Sequence, residues 1–239
     1  MFPWILGLVA VPLATVLIAG ALFVPIYRRL QRAEYIRTYE WPPGLLDKLA
    51  GHHRSFTRKE SALVAQGLRQ FFLAYLNSGR AYVAMPSQVA DDLWHEFILY
   101  TRAYQRFCQE AFGGFLHHTP AVALAEGRKK DNAGLRRVWL HCCRLDGINP
   151  VKPTRLPLLF ALDTKLNIPG GYRYEPDCAQ LRRNGDAGSQ CGGDFSSSSY
   201  DGGTDGMGDS GRSDSSSSDS GSSDGGGGDG GGCGGGGGD

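Results

Sequence analysis

The stretch DDLWHEFILYTRAYQRFCQEAFGGFLHH, residues 91–118, combines a long helical pattern with acids, histidines and a cysteine. At about 100° per residue, Val89, Leu93, Phe97, Tyr100, Tyr104, Phe107 and Ala111 fall within about 80° of one another and form one core-facing stripe. Ser87 precedes the stripe as an N-cap, and Gly113-Gly114 follows it as a C-cap pair, so the pattern predicts one helix between them. On the opposite side Asp91, His95 and Arg102 lie within about 40° of each other, flanked by Trp94, Ile98 and Leu99. A helix apolar on both sides is expected to be buried, so Asp91 and His95 need a partner or a ligand to replace lost water.

Two readings of that pair stand side by side. In the first, the Asp91 carboxylate accepts from the His95 ring one turn along and fixes its tautomer inside a polar network. In the second, His95 joins one or both of His117 and His118, with Asp91 or Asp92, around a zinc or similar divalent ion. An unbroken helix makes the second reading tight. The helix end then lies about 27 Å from His95, and five extended residues return at most about 17 Å.

Outward from this segment, the chain reads as mainly helical. Trp41-Pro42-Pro43-Gly44 opens a short helix, LLDKLAGHH, and Thr57-Arg58-Lys59-Glu60 has capping-box spacing. Val64, Leu68, Phe71, Phe72 and Tyr75 then predict a core helix from about Arg58 to Leu76, stopped by Asn77-Ser78-Gly79. Further helices are expected near Thr119-Pro120, over roughly 133–144, and within PTRLPLLFALDTK, after which an extended piece follows.

The two ends differ in composition. Residues 1–27 carry no Asp, Glu, Lys, Arg or His and are long enough to cross a hydrocarbon core of about 30 Å, with Pro12 and Pro25 as kink sites. Arg28, Arg29, Arg32 and Arg37 follow. The segment is therefore expected to be a single-pass transmembrane helix with its N-terminus outside and the domain in the cytoplasm. From Asp186 to Asp239, 45 of 54 residues are Gly, Ser or Asp, with Phe195, Tyr200 and Met207 the large apolar exceptions. Such a tail buries too little surface to offset its ordering entropy and is expected to be disordered.

The resulting division is a transmembrane helix (1–27), a basic juxtamembrane segment (28–40), a helical domain (41–182) and a Gly/Ser/Asp-rich tail (183–239). The net charge of +1 conceals a body of +10 up to residue 185 and a tail of −9. The expected partners are the lipid bilayer through residues 1–27 and anionic lipid headgroups around the basic body. No protein partner is named by the sequence, and no Lys/Arg stripe or reader motif points to nucleic acid. Six cysteines without a CxxC pair fit a reduced set.

Several enzyme motifs fail on spacing. His95-Glu96 begins H-E-x-x-H, but residue 99 is leucine. Gly206-Met207-Gly208-Asp209-Ser210-Gly211 matches a dinucleotide fingerprint only formally, in a tail without strand or helix. His141-Cys142-Cys143 holds thiols beside a base, but neighbours on a helix point to different faces.

Met85-Pro86-Ser87, Asp92 before Leu93-Trp94-His95, Tyr104, Phe107-Cys108 and the Gly114-Phe115-Leu116-His117-His118 exit resemble the glycine-rich domain-containing protein-like family. The likeness continues through Leu156-Pro157-Leu158-Leu159-Phe160 to Cys178. It implies a domain over roughly 40–180 and no established reaction. The function expected is a membrane-anchored helical binding or scaffold module with Asp91, Asp92, Trp94, His95, Arg102 and Cys108 as its polar cluster. The alternative is a metal-dependent enzyme in which His95, His117 and His118 hold the ion and Asp91, Asp92 or Glu96 moves protons.

Overall fold

The computed structural model describes residues 3–53, 56–118, 133–176 and 190–196. All of them fall in one compact unit, Met1–Gly208, while a second unit, Asp209–Asp239, lies outside them. So do the helix expected near Thr119-Pro120 and the tail beyond Ser196.

Seven α-helices occur among the described residues: α1 Pro3–Thr38, α2 Leu45–His52, α3 Arg58–Asn77, α4 Gln88–Leu99, α5 Thr101–Phe112, α6 Ala133–Leu145 and α7 Leu158–Lys165. Two short strands, β1 Tyr174–Glu175 and β2 Gln190–Cys191, pair in parallel, and a 3-10 turn, Gly193–Ser196, follows.

Helix α3 is the hub and packs against α1, α2, α4, α6 and α7. Its start is the capping box expected from Thr57 and Glu60: Thr57 Oγ1 accepts from the Glu60 amide, and the Glu60 carboxylate accepts from the Thr57 amide. The stripe Val64, Leu68, Phe71 and Phe72 is buried, as its period requires. At Gly67 a Cβ would stand 2.4 Å from Leu162 Cδ1, so the missing side chain lets α7 lie directly on α3.

The expected membrane arrangement is overturned. Among the described residues no helix is long and apolar enough to cross a membrane, so the single-pass topology and the cytoplasmic placement derived from it are not supported. Helix α1 has no boundary at Tyr27; it runs unbroken to Thr38 through both prolines. Its 28–38 portion is part of the domain and not a juxtamembrane connector. Ala33 and Ile36 are buried in the core, and Tyr35 and Tyr39 pack on Phe107 at 6.0 and 4.7 Å between ring centroids. The basic residues therefore flank the buried face of a core helix, with Arg29 bonded to Asn77 at the end of α3 and Arg32 lying against Gly113.

The core also extends past the compositional boundary. Phe195 is buried against Trp139, Phe160 and Tyr174, so residues 190–196 close the domain despite their Gly-rich surroundings. Cys191 is disulfide-bonded, with its partner outside the described residues, which departs from the fully reduced set.

Two buried carboxyl–amide networks hold the helix ends. Asp146 accepts from Gln70 Nε2 at 2.6 Å and from the Leu158 amide at 2.8 Å, and Gln70 Oε1 accepts from the Leu159 amide at 3.1 Å, which caps α7. Asp163, 3% exposed, caps α4 from outside the helix. Its carboxylate accepts from Ser87 Oγ at 2.7 Å and from the amides of Gln88, Val89 and Tyr172 at 2.7, 3.2 and 2.9 Å. Ser87 in turn accepts from the Ala90 amide, so one hydroxyl serves as donor and acceptor at once.

Replacing Asp163 with Ala should strand these donors in a dry site and lower unfolding free energy by about 2–4 kcal/mol, with Asp163→Asn less damaging. Urea denaturation of the three proteins would check this; equal midpoints would contradict the capping role.

Candidate metal centre

The 91–118 segment is not one helix. It breaks at Tyr100, whose ψ of 58° leaves the helical region and whose amide donates to the Phe97 carbonyl in a tightened last turn. Contacts remote in sequence hold the bend: the Tyr100 hydroxyl donates to the Pro43 carbonyl at 3.3 Å, and Lys48 Nζ sits 4.9 Å above its ring. Leu99 is 67% exposed at the bend. The expected apolar face survives across both helices, with Val89, Leu93, Phe97, Tyr104, Phe107 and Ala111 all buried.

The bend shortens the return path that an unbroken helix makes tight. Trp94 Nε1 donates to the Tyr104 hydroxyl at 3.2 Å, and that hydroxyl donates to the Leu116 carbonyl at 2.5 Å. This buried relay fixes the exit loop two residues before His118. Burial pushes the Tyr104 phenol up, so the donor keeps its proton. Trp94 also packs edge-on against the His118 ring, 4.6 Å between centroids.

His118 thereby lands on α4. Its Nε2 lies 3.0 Å from Asp91 Oδ1, and His95 Nδ1 lies 3.7 Å from Asp91 Oδ2. The two imidazoles are 4.3 Å apart between centroids. One donor atom from each of Asp91, His95 and His118 lies within 4.8 Å of the other two. Asp91 and His118 are largely shielded, while the His95 side chain is 52% exposed, so the group sits at the rim rather than in the interior. Tyr172 borders it. Burial, followed by the charges of Asp91 and Asp163, pushes its phenol up.

The remaining sequence-predicted residues divide. Asp92 accepts from Gln88 Nε2 at 3.0 Å and lies 3.1 Å from His53 Nε2. Glu96 lies 3.1 Å from His52 Nε2 and 3.6 Å from Lys48 Nζ. His117 is outside the cluster and packs at a tilt on Phe115, 4.7 Å between ring centroids. Arg102 is exposed on α5. Cys108 is buried, its thiol pushed up by burial and held beside Leu116 and Tyr104, so it packs under the loop. His52, His53 and Tyr172 are the contributors that sequence reasoning missed; the LLDKLAGHH helix marks the first two, but nothing local joins them to α4.

Residues 31–195, more than half of the chain, match the family described as UCP032817-like. The chain belongs to that family. This corrects the glycine-rich domain-containing protein-like resemblance, whose Trp-His, Phe-Cys and His-His pairs are seen here to be the relay and loop of this domain. The family's description carries no activity. No curated protein and no solved structure matches the chain.

His141-Cys142-Cys143 is no activated nucleophile. Burial pushes both thiols up, Cys143 to about 12, and lowers the His141 imidazole. In the native protein Cys108, Cys142 and Cys143 should resist iodoacetamide at neutral pH and react only after unfolding, as peptide mass spectrometry would show. Rapid native labelling of Cys142 or Cys143 would restore a reactive-thiol role.

Proposed function

We propose that this domain is a helical binding module that holds a divalent first-row ion, zinc being the best match, between Asp91, His95 and His118. The observation that supports this reading is the convergence of the three donors. Asp91 and His95 share one turn of α4, and His118 is delivered to them by a separately anchored loop. A tetrahedral zinc with bonds of about 2.0–2.2 Å keeps its donors about 3.3–3.5 Å apart. The 3.0 and 3.7 Å pairs use the two different oxygens of Asp91, and with one donor atom from each residue the three lie within 4.8 Å of one another, so closing on an ion requires the side chains to draw together by about 1 Å.

Imidazole and carboxylate together suit zinc better than magnesium or calcium, which favour all-oxygen sets. Three protein ligands would leave a tetrahedral ion one further position, and the half-exposed His95 side chain puts the group at the rim where water can reach it.

The metal-dependent enzyme reading shares this ion and requires a free carboxylate for proton transfer. Asp92 and Glu96 are instead engaged by His53 and Gln88, and by His52 and Lys48, which favours the binding reading.

Calorimetric titration of the full chain with zinc should give one site. His95→Ala and His118→Ala should each weaken it by at least about tenfold, and His117→Ala should leave it unchanged. Equal zinc affinity in all four proteins would reject this site.

A further inference from the structure

On another side of the domain, α1 and the turn that ends α3 border a cavity of about 460 Å³. That volume lies in the range of small-molecule sites, about 300–1,000 Å³. Four arginines line it: Arg28, Arg29 and Arg32 from α1, and Arg80 from the turn. No acidic side chain does, and none of the four is ion-paired with a carboxylate among the described residues. Four positive charges thus share one concavity without a carboxylate among its lining; solvent screens the exposed Arg28, Arg29 and Arg80, and the summed charge leaves a positive potential that attracts an anion.

Three of the guanidinium groups are held in place by neutral neighbours. Arg29 donates from Nε and Nη2 to Asn77 Oδ1 at 3.2 and 2.9 Å, and from Nη2 to the Asn77 carbonyl at 3.1 Å. Arg80 Nη1 donates to the Phe112 carbonyl at 3.1 Å. Arg32 fits against Gly113, where a Cβ would stand 2.4 Å from its Nη2. Carbonyl and amide acceptors orient a guanidinium without neutralising it. Arg80 moreover occupies a φ of 65°, a conformation non-glycine residues adopt at a cost, directly after Gly79 at 71°. The turn is fixed by the Gly79 and Arg80 amides, which donate to the Leu76 and Tyr75 carbonyls at 3.3 and 3.0 Å and so set where Arg80 leaves the helix end.

We infer that this cavity binds the phosphate group of a small phosphate monoester. The planar guanidinium fork matches phosphate oxygens in pairs, and a dianion compensates more of the four charges than a carboxylate does. Val24, Pro25 and Leu76 supply an apolar wall against which the short carbon portion of an ester packs. A soluble monoester and the headgroup of a phosphatidic acid share this chemistry. The inference does not rest on the metal centre, since none of the lining residues belongs to it.

The test uses the full chain at low salt. Calorimetry would measure glycerol 3-phosphate and inorganic phosphate, and sedimentation would measure phosphatidylcholine vesicles with and without phosphatidic acid. The expected result is saturable binding of glycerol 3-phosphate or of the phosphatidic acid vesicles, the responding probe identifying the source. Arg28→Gln should weaken it at least about fivefold and Arg28→Gln/Arg32→Gln at least about fiftyfold. Arg58→Gln and Arg102→Gln should bind like the parent. Arg28 is exposed and makes no hydrogen bond to a described residue, so its replacement leaves the fold intact. Absence of saturable binding of all probes would overturn the site. So would binding that Arg28→Gln and the double variant leave unchanged.

Discussion

A buried carboxylate on α7 determines where α4 begins. Asp163 loses nearly all its water on folding, a cost that only specific donors offset. It finds them in Ser87, in the first amides of α4 and in the Tyr172 amide, and so ties three distant chain segments to one point. The positive end of the α4 dipole adds to the attraction. Because α7 is itself pressed on α3 through Gly67, the start of α4 is referenced to the hub helix. Asp91 and His95 then occupy fixed positions one and two turns along.

The other half of the candidate centre is fixed by a different device. Tyr100, tethered to the α2 region, bends the chain, and the Trp94–Tyr104–Leu116 relay sets the height at which the loop returns. His118 is thus carried by a loop whose backbone is anchored from below by buried aromatic groups. Alongside, Lys48 and His52 of α2 and the following His53 engage the remaining acids of α4, Glu96 and Asp92. Asp91 and His95 on one side and His118 on the other are thus positioned from two independent supports, the kind of preorganisation that the proposed ion site would need.

Much of this was legible locally. The Thr57–Glu60 box, the Ser87 cap, the left-handed Gly113 and the apolar stripe of 89–111 all depend on residues a turn or two apart, and all are present. The break at Tyr100 was not, because no glycine or proline marks it and the contact that holds it lies 57 residues upstream, at Pro43. Choosing between the adjacent His117 and His118 likewise requires the loop's anchor. In α1, hydropathy drew a boundary at Tyr27, whereas Ala33 and Ile36 form the sparse core contact of a helix that continues. Phe195 shows the converse error: a single aromatic in a Gly/Ser background still belongs to the core when Trp139 and Phe160 leave room for it.

The most direct examination of the central claim is X-ray absorption at the zinc edge on the full chain loaded with one equivalent of zinc. The account predicts a first shell of nitrogen and oxygen at about 2.0–2.1 Å, with outer-shell scattering from two imidazoles that falls to one in His95→Ala. A sulfur shell near about 2.3 Å, or a shell without imidazole scattering, would contradict it.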